Sequence, residues 1–374
     1  MLTSQLGIRL VLLIGGTVPL PASRELMQSF SAADVTADAE GQDGFQLTFT
    51  LAKDSGLDFS LLEGSTFDAL NRVVIGVVMG ASPEVLVDGV ITHHQLVPSD
   101  QPGGSTLVVT GRGIGVLLEL AETNRPYPNQ PDSVIVERVL LEYAGKGLLG
   151  PHRVTPTTDV PIQIQRVPRQ QETDLDFIKR LATRNGFVFY IEPITFGVSS
   201  AYWGPAIRAG LPQPALTYDL GPATNLTRLS FANDWLAPVG AEGSFIEPTT
   251  KMQIPIPALP ALRLPPLAGS LASPLRTTLL RETANYNPAQ AFAASLAAAT
   301  SSPEPVTVSG ELESVRYGNV LRPRGLVGLR GAGRTYDGTY YVRSVTHSIS
   351  QLSYRQSFSL SREGTGALLP VVIP

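Results

Sequence analysis

The sequence feature that most constrains the fold is a strict alternation of apolar and polar residues from 45 to 51. Every second residue is apolar, namely Phe45, Leu47, Phe49 and Leu51. This period of two is typical of a half-buried β-strand. Apolar runs at 72–79, 84–96 and 105–110, each bounded by Gly, Pro or Asp, indicate further strands. Asp88-Gly89, between two apolar runs, predicts a two-residue hairpin turn. Residues 1–110 are thus predicted to form a first tube-like β-barrel or sandwich domain.

Glycine and proline are frequent along the whole chain. The 35 Gly and 31 Pro residues make up 66 of the 374 residues, against an average usage of about 12%. Residues that so often interrupt secondary structure favour many short strands over long helices. Charged residues make up only 16%, below the ~25% typical of soluble domains. Either a large core or surfaces covered by neighbouring subunits would explain this low charge.

Charge and cysteine content exclude several classes of function. The net charge is −4, so the chain lacks the concentrated basic surface of a nucleic-acid-binding protein, and no direct nucleic acid binding is expected. The chain has no Cys, which excludes disulfides, thiolate nucleophiles and cysteine-ligated metals. No cofactor is predicted.

The N-terminal segment Leu6–Ile14 is apolar, but Arg9 interrupts it and it is too short to span a bilayer. An edge or inter-subunit strand is favoured over an export signal. No run of eighteen apolar residues follows, so no transmembrane segment is expected. Synthesis and assembly in the cytoplasm are therefore expected.

Residues 111–195 have a different character and predict an inserted α+β module. Asp132 or Ser133 is expected to cap a helix over 134–143 that ends at Gly145. A second helix is expected to begin at Thr173, with Asp176 three residues further as a variant capping box, and to end at Gly186. Residues 187–191 predict the strand that follows.

Residues 196–374 predict a second tube-like β domain, with late strands that are candidates to complete the first one. The predicted strands cover 228–231, 312–316, 325–329, 339–347 and 354–361, with Asp337-Gly338 as another hairpin signal. The uncharged Pro-rich segment 248–276 cannot form a central strand; it is read as an arm lying on a partner or as a disordered linker. Asn287-Pro288 predicts the start of a helix ending near Ala299. The fold class is mainly β, with two tube-like domains flanking a small helical module.

No catalytic or metal-binding residues are predicted. The four histidines are His93, His94, His152 and His347, and the adjacent pair would point to opposite faces of a strand. Residues 111–115 (GRGIG) lack the third glycine of a dinucleotide loop, and a tight turn into the module is expected instead. Asp174 and Asp176 are placed to stabilise the N-terminus of a helix.

Residues 173–190 (TDLDFIKRLATRNGFVFY) resemble a stretch shared by the phage late-control protein D and VgrG hub families. The helix at 134–143, the strand at 87–92 and the closing strands at 340–347 and 354–362 are also similar to segments of these families. The positions that match are given a structural role: Thr173, Asp174, Asp176, Phe177, Leu181, Gly186, Phe187, Tyr190, Tyr341, Val342 and His347.

This resemblance implies a non-enzymatic baseplate hub of a phage tail or phage-tail-like particle. The hub would be a homotrimer whose six related β domains meet a hexameric tail tube protein, with a trimeric spike below and other baseplate proteins around it. The chain has no oligonucleotide-binding-type domain or β-helical needle, so a separate spike polypeptide is expected. Segments 6–14 and 248–276 are hypothesised to join subunits.

Two other functions stay open at this point. A cell-wall-degrading tail enzyme would need a pair of carboxylates in a groove. A carbohydrate-binding β-sandwich would need aromatic platforms, and the only tryptophans are Trp203 and Trp235. Trp203 is expected to pack in a joint between domains.

Overall fold

The computed structural model describes residues 7–51, 64–101, 104–160, 167–246, 251–256, 263, 265–280 and 288–368. Within them the chain is mainly β, as predicted. Thirteen strands form one continuous sheet, which runs through two lobes. Between the lobes in sequence lies an α+β insertion. None of the described helices is both long and apolar enough to cross a membrane.

The first lobe contains one short helix and seven strands. These are β1 (Ile8–Gly15), β2 (Leu20–Pro21), α1 (Arg24–Ser29), β3 (Phe30–Asp38), β4 (Gly44–Leu51), β5 (Arg72–Met79), β6 (Ser82–Val97) and β7 (Ser105–Gly113). The strands lie in the order β3-β4-β7-β6-β5-β1-β2. The alternation along β4 puts Leu47 and Phe49, both fully buried, into the core of this lobe. The apolar segment near the N-terminus forms β1, which pairs with β5 along all eight residues; Leu6 lies outside the described residues.

The hairpin turn predicted at Asp88-Gly89 is wrong, because both residues lie inside β6. The Asp88 carboxylate is buried and accepts hydrogen bonds from the Arg72 guanidinium, with Arg72 Nε at 2.8 Å from Oδ1 and Nη2 at 2.6 Å from Oδ2. A Cβ atom on Gly89 would lie 2.3 Å from the carbonyl oxygen of Arg112. The Asp-Gly pair therefore provides a buried charge and a close strand approach instead of a turn.

The inserted helical module, residues 114–204, begins with a 3-10 turn at Ile114–Leu118. The tight turn predicted over 111–115 is wrong for its first three residues, because Gly111, Arg112 and Gly113 still belong to β7. The remaining elements of the module are β8 (Glu122–Pro126), α2 (Asp132–Ala144), β9 (His152–Val154), β10 (Arg169–Thr173), α3 (Asp174–Asn185), β11 (Val188–Thr195) and β12 (Val198–Gly204). One core holds the module together and extends from Ile114 to Trp203. Because β12 pairs with β11, this core continues past residue 195.

The caps of the two module helices differ. Thr173 caps α3 as predicted, since its side chain accepts a hydrogen bond from the Asp176 N–H, and Gly186 ends the helix in the left-handed region with φ 68°. The predicted cap of α2 is wrong: Pro131 is the N-cap and Asp132 is already helical. Asp132 instead accepts a hydrogen bond from the Nε of Arg184, at 3.1 Å, and so joins α2 to α3.

The rest of the chain forms the second lobe and an insertion within it. Its elements are β13 (Gln213–Thr217), β14 (Leu226–Asn233), β15 (Val239–Ile246), β16 (Gln253–Ile256), β17 (Ala268–Leu271), β18 (Arg276–Leu279), α4 (Pro288–Ser301), β19 (Val306–Glu313), α5 (Ser314–Tyr317), β20 (Leu326–Arg330), β21 (Gly338–Ser350), β22 (Tyr354–Arg362) and β23 (Gly364–Ala367). The strand predicted over 312–316 ends at Glu313, because the backbone turns into α5.

The insertion lies between β14 and β19 and contains the Pro-rich segment. A small sheet in the order β16-β15-β18 packs on α4 through Phe245, Ile256 and Ala291. The later part of the segment lies on the second lobe of the same chain: β17 pairs with β23, and the Ala268 N–H donates to the Glu363 carboxylate over 3.0 Å. Part of the predicted arm, and the predicted cap Asn287, lie outside the described residues.

Candidate assembly interface

The two lobes repeat the same strand topology. In the first lobe five successive strands, β3 to β7, lie in the order β3-β4-β7-β6-β5. In the second lobe the main strands are β14, β19, β20, β21 and β22, and they lie in the order β14-β19-β22-β21-β20. Numbered within each lobe, both orders read 1-2-5-4-3. β6 therefore corresponds to β21, and β3 corresponds to β14.

The correspondence extends to the β-bulges. The pairing of β3 with β4 shifts between Phe30 and Ala32, and the pairing of β14 with β19 shifts between Leu226 and Arg228. The bulged residues, Ser31 and Thr227, are therefore equivalent. Bulges are local features of a fold that are specific to position, so their coincidence aligns the two lobes residue by residue.

A second pair of bulges aligns the strands that change partners. The pairing of β6 with β7 shifts between Ile91 and His93, and that of β21 with β22 shifts between Val342 and Ser344. Thr92 and Arg343 are therefore equivalent. In β21 this bulge marks the point after which the strand leaves β20 and pairs with β3.

Two residues with unusual backbone angles also coincide. Leu70 and Arg324 have φ 65° and φ 66°, a left-handed conformation that is uncommon for residues other than glycine. The Leu70 N–H donates to the Ile91 carbonyl and the Arg324 N–H donates to the Val342 carbonyl, both over 2.9 Å. Leu70 therefore occupies in the first lobe the place that Arg324 occupies in the second.

Within the chain, the lobes join where β21 pairs with β3, from Ser344 opposite Asp38 to Ser350 opposite Ala32. Thr36 and Thr346 face each other across this junction, with 3.1 Å between their Oγ1 atoms. The junction is continuous antiparallel sheet, so its hydrogen bonds fix the position of one lobe relative to the other.

Arg324 connects the junction between the lobes to the helical module. Its guanidinium donates to the carbonyls of Asp38 and Ala39 in the first lobe and lies 4.2 Å from the centre of the Tyr190 ring in the module. Its Nη2 is 3.7 Å from Oδ1 of Asp43. Burial raises the pKa of the Asp43 carboxyl, while the charge of Arg324 opposes this rise. One side chain thus contacts both lobes and the module.

A second joint fixes the module on the first lobe. The Nη2 of Arg72, already paired with Asp88, donates to the Gly197 carbonyl over 2.9 Å, and the Ser199 hydroxyl donates to Asp88 Oδ2 over 2.8 Å. The ring of Phe196 covers Gly76, where a Cβ would lie 2.6 Å from its Cζ. These contacts hold the turn between β11 and β12 in place on β5 and β6.

The eight-stranded part of the sheet, from β14 to β6, has two open edges. Among the described residues, β14 pairs only with β19, and residues 92–97 of β6 pair only with β7. Unpaired edges are templates for pairing with another chain. Since all seven neighbouring pairs from β14 to β6 are antiparallel, the two edge strands run in opposite directions.

The positions assigned a structural role from the sequence divide into two groups. The first group stabilises the module: Thr173 caps α3, Asp174 accepts hydrogen bonds from Tyr143 and Gln170, and Asp176 pairs with Thr173. The buried members are Phe177 and Leu181, and Phe187 packs edge-on against Trp203 with 4.8 Å between ring centres. Gly186 provides the turn that ends α3.

The second group lies at the joints. Tyr190 lies under Arg324, and Tyr341 lies under Arg208, 4.7 Å from its guanidinium carbon. Val342 and His347 are buried in the second lobe. The two groups do not form a common pocket. The sequence carries no signal for Arg324, Leu70 or the two sheet edges, because a positive φ or an unpaired edge leaves no residue pattern.

The histidines do not form a metal site in the described part of the chain, where no suitable cluster of three His, Cys, Asp or Glu residues occurs. His93 and His94 are exposed on β6, and His152 contacts Glu137 at 2.9 Å. His347 is buried, with its Nδ1 3.0 Å from the Tyr354 hydroxyl oxygen.

We expect His347 to make the fold sensitive to acid. Burial, with the nearby charge of Arg322, lowers its pKa to about 3, whereas the unfolded chain takes up the proton near pH 6.5. Its contribution to stability is therefore complete above pH 6.5 and decreases as the pH falls towards 3, by about 2 kcal/mol at pH 5. Urea unfolding at pH 7 and pH 5 measures this loss. A His347→Gln variant should lose about 2 kcal/mol less than the parent over this range; an equal loss would contradict the prediction.

Similar folds occur in phage-tail and type VI secretion proteins. A tail protein from Neisseria meningitidis MC58 has a TM-score of 0.61 at 15% identity, covering 96% of this chain and 98% of that chain. The prophage MuSo2 43 kDa tail protein from Shewanella oneidensis has a TM-score of 0.63 at 15% identity, with 95% and 98% covered. An Escherichia coli type VI secretion component, described as similar to the bacteriophage T4 tail proteins gp27 and gp5, has a TM-score of 0.57 at 15% identity, with 92% and 78% covered.

No protein-family model matches the sequence, and no curated protein matches it significantly. At these identities the structural likeness shows a shared fold, which is that of phage-tail and type VI secretion proteins.

Proposed function

We propose that this chain is a structural baseplate hub, in which three copies form a ring that joins a hexameric tail tube to a trimeric spike. The observation that carries the proposal is the repeated topology of the two lobes within one sheet. A ring of three such chains has six equivalent lobes. It would therefore match a six-fold partner on one face and a three-fold partner on the other without strained contacts.

The open edges support a closed ring. A chain whose two edge strands differ can pair head to tail, and such contacts close into a ring when the rotation allows it. Closure would also remove the exposed edges, which in an isolated chain promote aggregation. The resemblance of residues 173–190 to the late-control protein D and VgrG families, together with the shared fold, supports three as the number of copies.

The role is proposed to be non-enzymatic, with a separate spike polypeptide and other baseplate proteins as partners in a phage tail or phage-tail-like particle. A cavity of about 700 Å³ between α3 and α4 is lined, among the described residues, by a single carboxylate, Asp159. It therefore provides no carboxylate pair to favour a cell-wall-degrading function. Trp203 is buried in the module core, so it is not available to stack on a sugar.

We expect the purified chain to have a solution mass three times its 39.9 kDa, measured by light scattering across a range of protein concentrations. Class averages from electron microscopy should show a ring with six similar lobes. A monomeric mass at all concentrations, both alone and with the isolated spike protein, would contradict the hub.

A further inference from the structure

We propose that the junction between two copies reproduces the junction between the two lobes of one chain, with β6 of one copy paired to β14 of the next. This inference rests on the proposed ring and adds the residues that close it. Inside the chain, β21 continues past its bulge to pair with β3. Its equivalent in the first lobe, β6, continues past the same bulge as residues 92–97 and has no partner beyond β7 among the described strands.

The strand that fits this edge is β14 of a second copy. β14 is equivalent to β3, and its outer edge is likewise open among the described residues. β21 and β3 are antiparallel, and β6 and β14 also run in opposite directions, so the same kind of pairing forms between copies. Because one copy contributes β6 and the next contributes β14, the contact joins two different surfaces and is therefore head to tail.

The bulges determine the register of this contact. Counting from the equivalent residues Thr92 and Arg343, Gln95 takes the place of Thr346. Counting from Thr227 and Ser31, Ala232 takes the place of Thr36.

Since the Oγ1 atoms of Thr36 and Thr346 lie 3.1 Å apart, Gln95 should face Ala232 of the next copy. Both residues are exposed in the isolated chain, as they must be if a second copy covers them. The distance inside the chain thus predicts side-chain contact between copies.

The same alignment identifies an apolar contact at the end of this junction. Leu70 takes the place of Arg324, and Trp235 takes the place of Ala39. Arg324 donates to the carbonyl of Ala39 across the internal junction, so Leu70 of one copy should contact Trp235 of the next. Leu70 and Trp235 are 45% and 63% exposed, so both side chains are accessible to a second copy.

The turn that carries Trp235 has a defined shape before assembly. The Asp234 carboxylate accepts a hydrogen bond from the Leu236 N–H over 2.9 Å. The equivalent residue at the internal junction, Asp38, accepts one from the Glu40 N–H over 2.7 Å. An exposed tryptophan held on an ordered turn loses little conformational entropy on binding and is typical of interface hot spots.

Leu70 has a left-handed conformation, which is costly for a large side chain. Glycine would adopt it without strain and is therefore compatible with the fold of the single chain. A leucine side chain offsets this conformational cost only if it makes a contact that glycine cannot make. We infer that the partner is Trp235 of the next copy.

Cysteine crosslinking tests the register, because the chain has no Cys of its own. Under mild oxidation, a Gln95→Cys/Ala232→Cys variant should give covalent species of two and three chains on a non-reducing gel. Thr36→Cys/Thr346→Cys should form a disulfide within one chain and so serves as the positive control. Gln95→Cys/Ser230→Cys, displaced by two residues, should crosslink weakly. Covalent dimers from Gln95→Cys alone would indicate symmetric β6 contacts and overturn the proposal.

Two single variants test the apolar contact. Trp235→Ala and Leu70→Gly should each weaken association at least about 30-fold, the effect of losing a hot-spot residue. Neither should lower the thermal stability of the single chain. Leu211→Ala, which removes a side chain that is 96% exposed elsewhere, is the matched control and should associate normally. A normal three-fold mass for both variants would overturn this contact.

The outcomes separate this inference from the hub itself. A three-fold mass with crosslinks only in the displaced pair would leave the hub standing and refute the register. A chain that never associates, in any variant, would refute the hub and with it the junction.

Discussion

Replacing Asp88 with alanine is expected to lower the free energy of unfolding by about 3–5 kcal/mol, the usual cost of removing one partner from a buried ion pair. The side chains of Arg72 and Asp88 are 6% and 0% exposed. Without the carboxylate, the Arg72 charge would stay buried with only backbone carbonyls around it. The Ser199 hydroxyl would also lose its acceptor, which would loosen the joint between the first lobe and the helical module.

Equilibrium unfolding in urea, followed by circular dichroism, measures this loss. Glu119→Ala is the matched control, because it removes one partner of the exposed Arg112–Glu119 pair and should cost no more than about 1 kcal/mol. The double variant Arg72→Met/Asp88→Leu should recover part of the stability, since it leaves no unpaired charge. Equal losses for Asp88→Ala and Glu119→Ala would show that the buried pair does not hold the joint.

Replacing Trp203 with alanine is expected to lower the free energy of unfolding by a similar amount, about 3–5 kcal/mol. The indole is fully buried in the module core and its Nε1 donates to the carbonyl of Ile178 over 3.2 Å. The substitution would leave a cavity beside Phe187 and remove the indole hydrogen bond to α3. Both losses add to the lost burial of the ring.

The other tryptophan is the control for this measurement. Trp235 is exposed on the turn after β14, so Trp235→Ala should change the stability of the single chain by no more than about 0.5 kcal/mol. Both variants are measured at concentrations where the chain is monomeric. The two tryptophans therefore predict opposite phenotypes, with Trp203 needed for folding and Trp235 needed for association. Loss of association without loss of stability in Trp203→Ala would contradict this division.

Local sequence patterns predicted the elements whose stability is local. The α3 helix has its cap residue, its buried face and its terminal glycine within 14 consecutive residues, from Thr173 to Gly186, and the structure confirms the predicted cap and terminal glycine. The alternation in β4 likewise reports directly which side chains are buried. Asp88-Gly89 shows where local reasoning fails. The same two residues form a turn in one context and a strand in another, and here the distant residues Arg72 and Arg112 decided between them.

The sequence by itself determined that the chain is mainly β, that an α+β unit interrupts it and which residues begin and end α3, because these depend on neighbouring residues. Only the tertiary structure showed that the lobes repeat one topology. Equivalent positions carry unrelated residues, such as Leu70 and Arg324 or Trp235 and Ala39, since a strand order requires only backbone hydrogen bonds and a buried face, which many side chains satisfy. The pairing of Thr36 with Thr346 joins residues 310 positions apart, and no local pattern encodes a contact made through the whole fold.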